Sequence, residues 1–277
     1  MSSDGARPEH AAEDEQANAE QDNMEQDNAA QDNANAGVSI LAHLGELRRR
    51  ATIAIIVYAL GVMILMNFSD VVFEFISLPI RNALPPDTPL VFLNAPDVFF
   101  TYLKIALLLS LFATAPVTLY QLWAFIAPGL YKHERKAFVA YFAGSLALLM
   151  AGGAFAFYVV FPLIFEFFLG FSTDTIQAMP AIKEYLSLVM KLLLAFGLSF
   201  QIPIVIMLLV RLNIVDAAAL AEKRRYVFVW AFVFAALLTP PDVISQVLLG
   251  VPMLLLYEVG LFLAKLKESK DVSSSNA

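Results

Sequence analysis

The chain has no cysteine among its 277 residues and only three histidines, His10, His43 and His133, none close to another. Disulfides, thiolate nucleophiles and Cys-based metal sites are thereby excluded, and the scattered histidines give no zinc-ligand spacing. Charge is scarce too: 16% of residues are Asp, Glu, Lys or Arg against 59% hydrophobic, with a mean hydropathy of +0.69. A water-soluble domain of this length cannot hide so much apolar side chain, so lipid is the solvent the composition implies. Catalytic templates are missing as well: no HExxH, no GxSxG with a His partner, no GxxxxGK phosphate loop and no pair of aspartates at mid-helix. An enzyme and an ATP-driven pump are both disfavoured, and neither cofactor nor metal is implied.

The charge that exists is unevenly placed. Residues 1–37 hold ten Asp or Glu against the single Arg7, so the overall −7 belongs to this segment and the other 240 residues carry +2. The segment contains EQDN at Glu20–Asn23, EQDN at Glu25–Asn28 and AQDN at Ala30–Asn33, with almost no branched or aromatic residues. It cannot bury enough apolar surface to order itself and is expected to be a disordered acidic tail. No cleavable signal peptide is expected, since the first apolar run begins after residue 50 with no small-residue cleavage site behind it. The predicted division is therefore a tail over 1–37, a membrane domain over 38–268 and a short polar tail over 269–277.

Crossing about 30 Å of hydrocarbon takes about 20 helical residues. Charge-free stretches of that order occur at Ala51–Phe68, within Ile105–Tyr131, at Ala137–Phe165, at Leu192–Val210 with an extension back toward Tyr185, and at Val243–Leu263. Tyr226–Leu238 reads as a further span, giving six, but it offers only 13 residues before Thr239-Pro240-Pro241. At 1.5 Å per residue that is about 20 Å, short for an unperturbed bilayer. The expected fold is all-α, six spans in a concave, kinked bundle with the fifth and sixth short. Pro116, Pro162, Pro203 and Pro252 fall inside four spans, each removing a backbone donor. Ala143, Ala147 and Ala151, at i, i+4, i+8 beside Gly144, are expected to let the third span pack closely. Between the first two spans, Val71 to Leu78 have near-helical apolar spacing followed by a Pro85 to Pro89 cluster, predicting an interfacial helix and a rigid turn.

Orientation follows from Lys and Arg. One side holds 14 of them (Arg7, Arg48–Arg50, the Lys132–Lys136 loop, Arg211–Arg225 and Lys265–Lys270) and the other only Arg81 and Lys183. The positive-inside rule then places both termini in the cytoplasm. Three polar groups remain: HLGELRRR at His43–Arg50, WAFIAPGLYKHERK at Trp123–Lys136, and LTPPDVISQ at Leu238–Gln246. Glu46 and Glu134 both fall at the inner face among basic residues. Such carboxylates are commonly internal salt-bridge partners, but two on one face would also suit a ligand with adjacent arginines, because a guanidinium forms forked, charge-assisted bonds to a carboxylate.

HLGELRRR, the LYQLWAFIAPGLYKHERK loop, AFGLSFQIPI and LLTPPDVISQ together resemble the TatC family of the twin-arginine translocase, in order from about His43 to about Lys265. The resemblance implies a non-enzymatic receptor for folded precursors with Arg-Arg signal peptides, in the bacterial inner membrane, assembling with itself and with TatA and TatB type single-span partners and drawing on the proton-motive force. It assigns signal contact to Glu46, Glu134, Arg48 and Phe125, partner docking to Thr239, Asp242 and Gln246, and further roles to Pro79 and Gln201. His43 and Lys132 are read as helix-end or lipid-headgroup residues, and Asp242 also as the cap of the last span. Gln201 stands where many family members have Glu. Lys191 is expected to snorkel and Glu258 to pair within the chain. No nucleic-acid partner is implied, whereas membrane lipid is. The competing classes are a secondary transporter, which would show two similar halves, and a structural scaffold, in which Glu46 and Glu134 would be dispensable.

Overall fold

The structure is a computed structural model and describes residues 43–85, 88–126, 135–173, 178–239 and 242–275. The acidic tail, Glu134, Lys132, Pro240 and Pro241 lie outside the described residues. The chain divides into two units, Met1–Thr52 and Ile53–Ala277. In the first, the described residues from His43 onward are helical, held locally by the Thr52 hydroxyl donating to the Arg48 carbonyl at 2.7 Å.

All regular structure among the described residues is helical. After α1 (43–65) and a 3-10 turn at Met66–Phe68 come α2 (Ser69–Ala83), α3 (Ala95–Ala113), α4 (Ala115–Ile126), α5 (Arg135–Phe155) and, beyond a π-turn at Ala156–Val160, α6 (Phe161–Leu169). The rest is α7 (Ile182–Ser199), α8 (Ile202–Arg211), α9 (Ala217–Glu222), α10 (Arg224–Leu238) and α11 (Val243–Ser275). Among the described residues, five helical stretches are long and apolar enough to cross a membrane: His43–Ala83, Ala95–Ala113, Phe138–Leu169, Ile182–Arg211 and Val243–Leu266. The expected fifth span is α10, whose 15 residues reach about 22 Å. The sixth is not short: α11 has 33 residues, because Leu266 onward supplies good helix formers that carry the helix past its apolar part.

Three prolines break their helices in three ways. Ahead of Pro116 the chain switches from α3 to α4 at Thr114. Before Pro162 the helix widens, and the Phe161 N–H reaches back five residues to the Ala156 carbonyl. Before Pro203 helix α7 ends at Ser199 and α8 starts at Ile202. Pro252, in contrast, sits within an unbroken α11. The second span also starts ten residues before the expected Ile105: Asn94 and Asp97 form a capping box at Ala95, and Lys104 is carried inside the helix. A lysine therefore did not mark the helix end. Helix α8 closes on Asn213, whose φ of 53° is left-handed, as asparagine tolerates.

The core lies where α2, α3, α6 and α7 meet, around Ile105, Phe161, Ile164, Leu186, Val189 and Phe196, all fully buried. The alanine stripe is not the packed face of α5. Ala143, Ala147 and Ala151 are exposed, while Tyr141, Ser145, Gly152 and Gly153 face inward. Alanine is equally at home against lipid, so its size does not reveal its direction. Glycine is the informative small residue here. A Cβ on Gly152 would stand 2.7 Å from the Phe196 carbonyl oxygen of α7, and one on Gly260 of α11 would stand 2.8 Å from Cα of Pro203 in α8.

A second polar-aromatic cluster fastens α4, α5 and α8. Buried Trp123 stacks on Tyr141 with centroids 5.4 Å apart and donates its indole N–H to Ser145 Oγ at 3.0 Å. Gln201, between α7 and α8, donates its amide to the Ser145 carbonyl at 3.0 Å. Ser145 is 1% exposed and thus serves two neighbours at once.

Two outcomes follow for thermal unfolding in detergent. Gly152→Ala and Gly260→Ala each lower stability by about 1–3 kcal/mol through overpacking against backbone, whereas Ala147→Leu stays within about 0.5 kcal/mol. Gln201→Leu costs about 1–2 kcal/mol by removing the donor to Ser145, and Gln201→Glu recovers it only at a pH low enough to protonate the carboxyl, since a carboxylate cannot donate to a carbonyl.

Candidate functional site

Glu46 opens the second turn of the helix that begins at His43, and four residues on stands Arg50. This spacing puts both on one helical face with the acidic partner nearer the N-terminus, the favourable order. Arg50 Nη2 approaches Glu46 Oε1 to 2.6 Å and Nε donates to the same oxygen at 2.9 Å. Both bonds land on Oε1, and Oε2 has no hydrogen-bond partner among the described residues. The Glu46 side chain is 37% exposed and that of Arg50 25%. Arg48, on another face, is exposed. Sequence reasoning had quoted Arg50 only as charge, although the Glu46–Arg50 spacing was in plain view.

Phe125 lies in the last turn of α4, half-buried, two residues past Trp123 of the buried Tyr141–Trp123 stack. Arg211 places its guanidinium carbon 5.6 Å over the Tyr141 ring, so the end of α8 adds a cation to the aromatic cluster that holds α4 in place. Glu134, the expected second carboxylate, lies outside the described residues.

The turn between α10 and α11 gathers the expected docking residues. The Thr239 hydroxyl donates to the Ala235 carbonyl at 2.8 Å and the residue is 6% exposed, so its donor is already committed within the chain. Asp242 caps α11: its Oδ1 accepts the Ser245 N–H at 2.7 Å. The other oxygen, Oδ2, and the hydroxyl of Ser245 are both buried and have no partner among the described residues. Ser245 belongs to the polar group Leu238–Gln246 but was assigned no role; its backbone N–H, three residues after Asp242, is the one the cap takes. The half-buried Gln246 side chain is likewise unbonded among the described residues. Thr239 also borders a cavity of about 440 Å³ shared with Ile80, Tyr185, Glu184 and Lys191. Lys191 is exposed, and Glu258 pairs with Arg224 at 2.7 Å, as expected of an intramembrane carboxylate.

The remaining two residues are structural in their placement. Pro79 is buried inside α2, and one turn earlier the Ile76 carbonyl receives the Tyr185 hydroxyl of α7 at 2.6 Å. Gln201 holds Ser145, as above. The structure therefore unites Thr239, Asp242 and Gln246 at one turn, and leaves Pro79 and Gln201 in separate helix contacts. No group of acidic, His or Cys side chains among the described residues has the arrangement of a metal site.

Residues 42–252 match the family of Sec-independent protein translocase proteins, TatC. Among curated relatives, a TatC protein of Magnetococcus marinus is 42% identical over 83% of this chain and 85% of its own length. The Escherichia coli TatC protein is 42% identical over 82% of this chain and 88% of its own. A crystal structure described as the twin arginine translocase receptor TatC superposes with a TM-score of 0.74 at 41% identity, covering 81% of this chain and 98% of the other. A matched stretch that holds all four motifs, high coverage in both directions and a shared helical fold agree, and the chain belongs to the TatC family of multi-pass membrane translocase proteins.

Proposed function

We propose that this chain is the receptor subunit of a twin-arginine translocase, a non-enzymatic one, in which Glu46 and Glu134 take the two guanidinium groups of an Arg-Arg signal peptide on a folded precursor. The observation that carries the reading is the Glu46–Arg50 pair. Glu46 already accepts a guanidinium through one oxygen at 2.6 Å, keeps the other oxygen unbonded among the described residues, and is partly open to solvent. An incoming arginine meets a carboxylate set for that chemistry, displacing Arg50 or adding at Oε2. Arg48, two residues along the same helix, and Phe125, in the last turn of α4, are proposed to take part in signal contact. Both termini are cytoplasmic on this reading, which the distribution of Lys and Arg supports, and the membrane is the bacterial inner membrane.

TatA and TatB type partners are proposed to dock at the α10–α11 turn, as is self-association in a larger complex driven by the proton-motive force. The half-buried, unbonded Gln246 amide supports a polar contact there, worth about 0.6–2 kcal/mol per bond in lipid.

In cells lacking the native subunit, Glu46→Ala or Glu134→Ala is expected to lower export of an Arg-Arg cargo about tenfold or more while the protein still inserts and accumulates, given about 1.5–3 kcal/mol per charge-assisted bond. Normal export by the double variant would sink the assignment. For docking, Gln246→Leu is expected to reduce co-purification of a single-span partner without shifting the unfolding temperature. Asp242→Ala loses about 1 kcal/mol of stability with the cap, and Asp242→Asn retains it.

A further inference from the structure

Where α3 and α7 begin, a cavity of about 400 Å³ lies between them, bordered by Asn94, Asp97, Phe100, Thr101, Lys104 and Lys183. The two segments are tied together there: the Ile182 N–H donates to the Val91 carbonyl at 2.8 Å and the Val91 N–H to the Pro180 carbonyl at 3.2 Å. The cavity wall is thus fixed backbone and two helix starts rather than a free loop.

Its polar lining is not balanced. Asp97, 7% exposed, is fully engaged: the Asn94 backbone N–H and Nδ2 donate to its Oδ2 at 3.3 and 3.2 Å, and Lys183 Nζ stands 3.4 Å from Oδ1. Lys104 lies about 10 Å further along α3 at 1.5 Å per residue and has no carboxylate partner among the described residues. Its ammonium meets only the Ser187 hydroxyl of α7, at 3.4 Å, a weak and neutral contact. The nearby acid on α7, Glu184, borders the separate cavity beside Tyr185. With two lysines and one aspartate the lining carries a net +1.

Thr101 adds an independent sign. It is 3% exposed and borders the cavity, yet its hydroxyl has no hydrogen-bond partner among the described residues. Threonines 52, 114 and 239 all donate to the carbonyl four residues back. Thr101 and Thr118, also in helices, do not, and of the two Thr101 borders the cavity. A half-buried ammonium without counter-charge costs free energy, and an oxyanion in the cavity would satisfy it and could accept from the Thr101 hydroxyl as well.

We propose that this cavity binds a phosphate group, with Lys104 and Lys183 as compact positive charges and Thr101 as a hydroxyl donor. Lysine ammonium binds phosphate oxygen as a point charge, without the planar fork that a carboxylate ligand favours in arginine. Phe100, 53% exposed, borders the cavity, and Phe99, 57% exposed, packs edge-on to it with centroids 5.6 Å apart, an apolar surface that suits the phosphodiester of a phospholipid whose chains run along the helices. A free phosphate has the same chemistry, and experiment separates the two sources.

The full-length protein, purified in detergent and stripped of lipid, is offered phosphatidylglycerol, diacylglycerol or inorganic phosphate, with lipid retention read by native mass spectrometry and stability by thermal shift. Wild-type protein is expected to retain phosphatidylglycerol over diacylglycerol. Retention falls about tenfold in Lys104→Gln and Thr101→Val, stays high in Lys104→Arg and Thr101→Ser, and is unchanged in Lys191→Gln, whose ammonium borders the other cavity. Protection by phosphatidylglycerol alone identifies a lipid headgroup, and protection by inorganic phosphate that Lys104→Gln abolishes identifies a free anion. If Lys104→Gln does not accumulate, the Thr101→Val and Thr101→Ser pair decides the matter. Equal retention of both lipids, or no difference between wild type and Thr101→Val with either probe, overturns the proposal.

Discussion

Every backbone N–H and C=O in a lipid-facing helix must find its partner inside the protein, because no water is there to take it. Three prolines in this chain break that rule locally, and side-chain hydroxyls and amides gather at the breaks. Beside the α3–α4 break, the Ser110 carbonyl takes both the Thr114 N–H at 2.9 Å and the Thr114 hydroxyl at 2.7 Å. Ser110 in turn donates to the Tyr58 carbonyl at 2.8 Å, and the Tyr58 hydroxyl donates to the Leu107 carbonyl at 3.0 Å. Beside the α7–α8 break, Ser199 donates to the Ala195 carbonyl at 2.6 Å and Gln201 to the Ser145 carbonyl at 3.0 Å. These two breaks are therefore also ties between helices.

Those ties decide which helices come close. With the rods interrupted, α5 reaches α7 through Gly152, and α11 reaches α8 through Gly260, at separations that leave no room for a Cβ. In lipid there is little hydrophobic gain from bringing helices together, so close van der Waals contact and shared hydrogen bonds must do it. Short α10 has few such contacts of its own beyond α11. It leaves Tyr226, Phe228, Val229, Trp230 and Phe234 facing outward. The described residues of the α10–α11 turn are held by the Asp242 cap and by the Thr239 hydroxyl on the Ala235 carbonyl.

What the sequence made legible was whatever depends on neighbours along the chain. Apolar run lengths gave the spans, three of the four span prolines marked interruptions while Pro252 did not, and the short run before Thr239 gave the short α10. Glu46 to Arg50 and Asp242 to Ser245 were readable from spacing alone. What failed needed a direction in space. Ala143, Ala147 and Ala151 form a small-residue stripe, but only packing reveals that they face outward while Gly152 faces in. Lys104 looked like a helix boundary because charge normally ends a span, yet the Asn94–Asp97 capping box set the start ten residues earlier. Neither the cavity at Lys104 nor the service of Ser145 to two helices could be derived without the fold.

Charges near the apolar layer are treated differently according to what they meet. Glu258 with Arg224, and Asp97 with Lys183, are matched pairs within the chain. Glu46 is matched as well, but by a part-buried i,i+4 neighbour on its own helix, a kind of pair worth only about 0.3–0.5 kcal/mol. Such a partner is cheap to displace and keeps the carboxylate oriented. A ligand with one guanidinium would gain little by replacing Arg50, since it exchanges one pair for an equivalent one. A ligand with two gains a contact that Arg50 cannot supply, at Oε2 or at a second carboxylate. On the proposed reading, the weak internal pair is what makes a double arginine distinguishable from a single one.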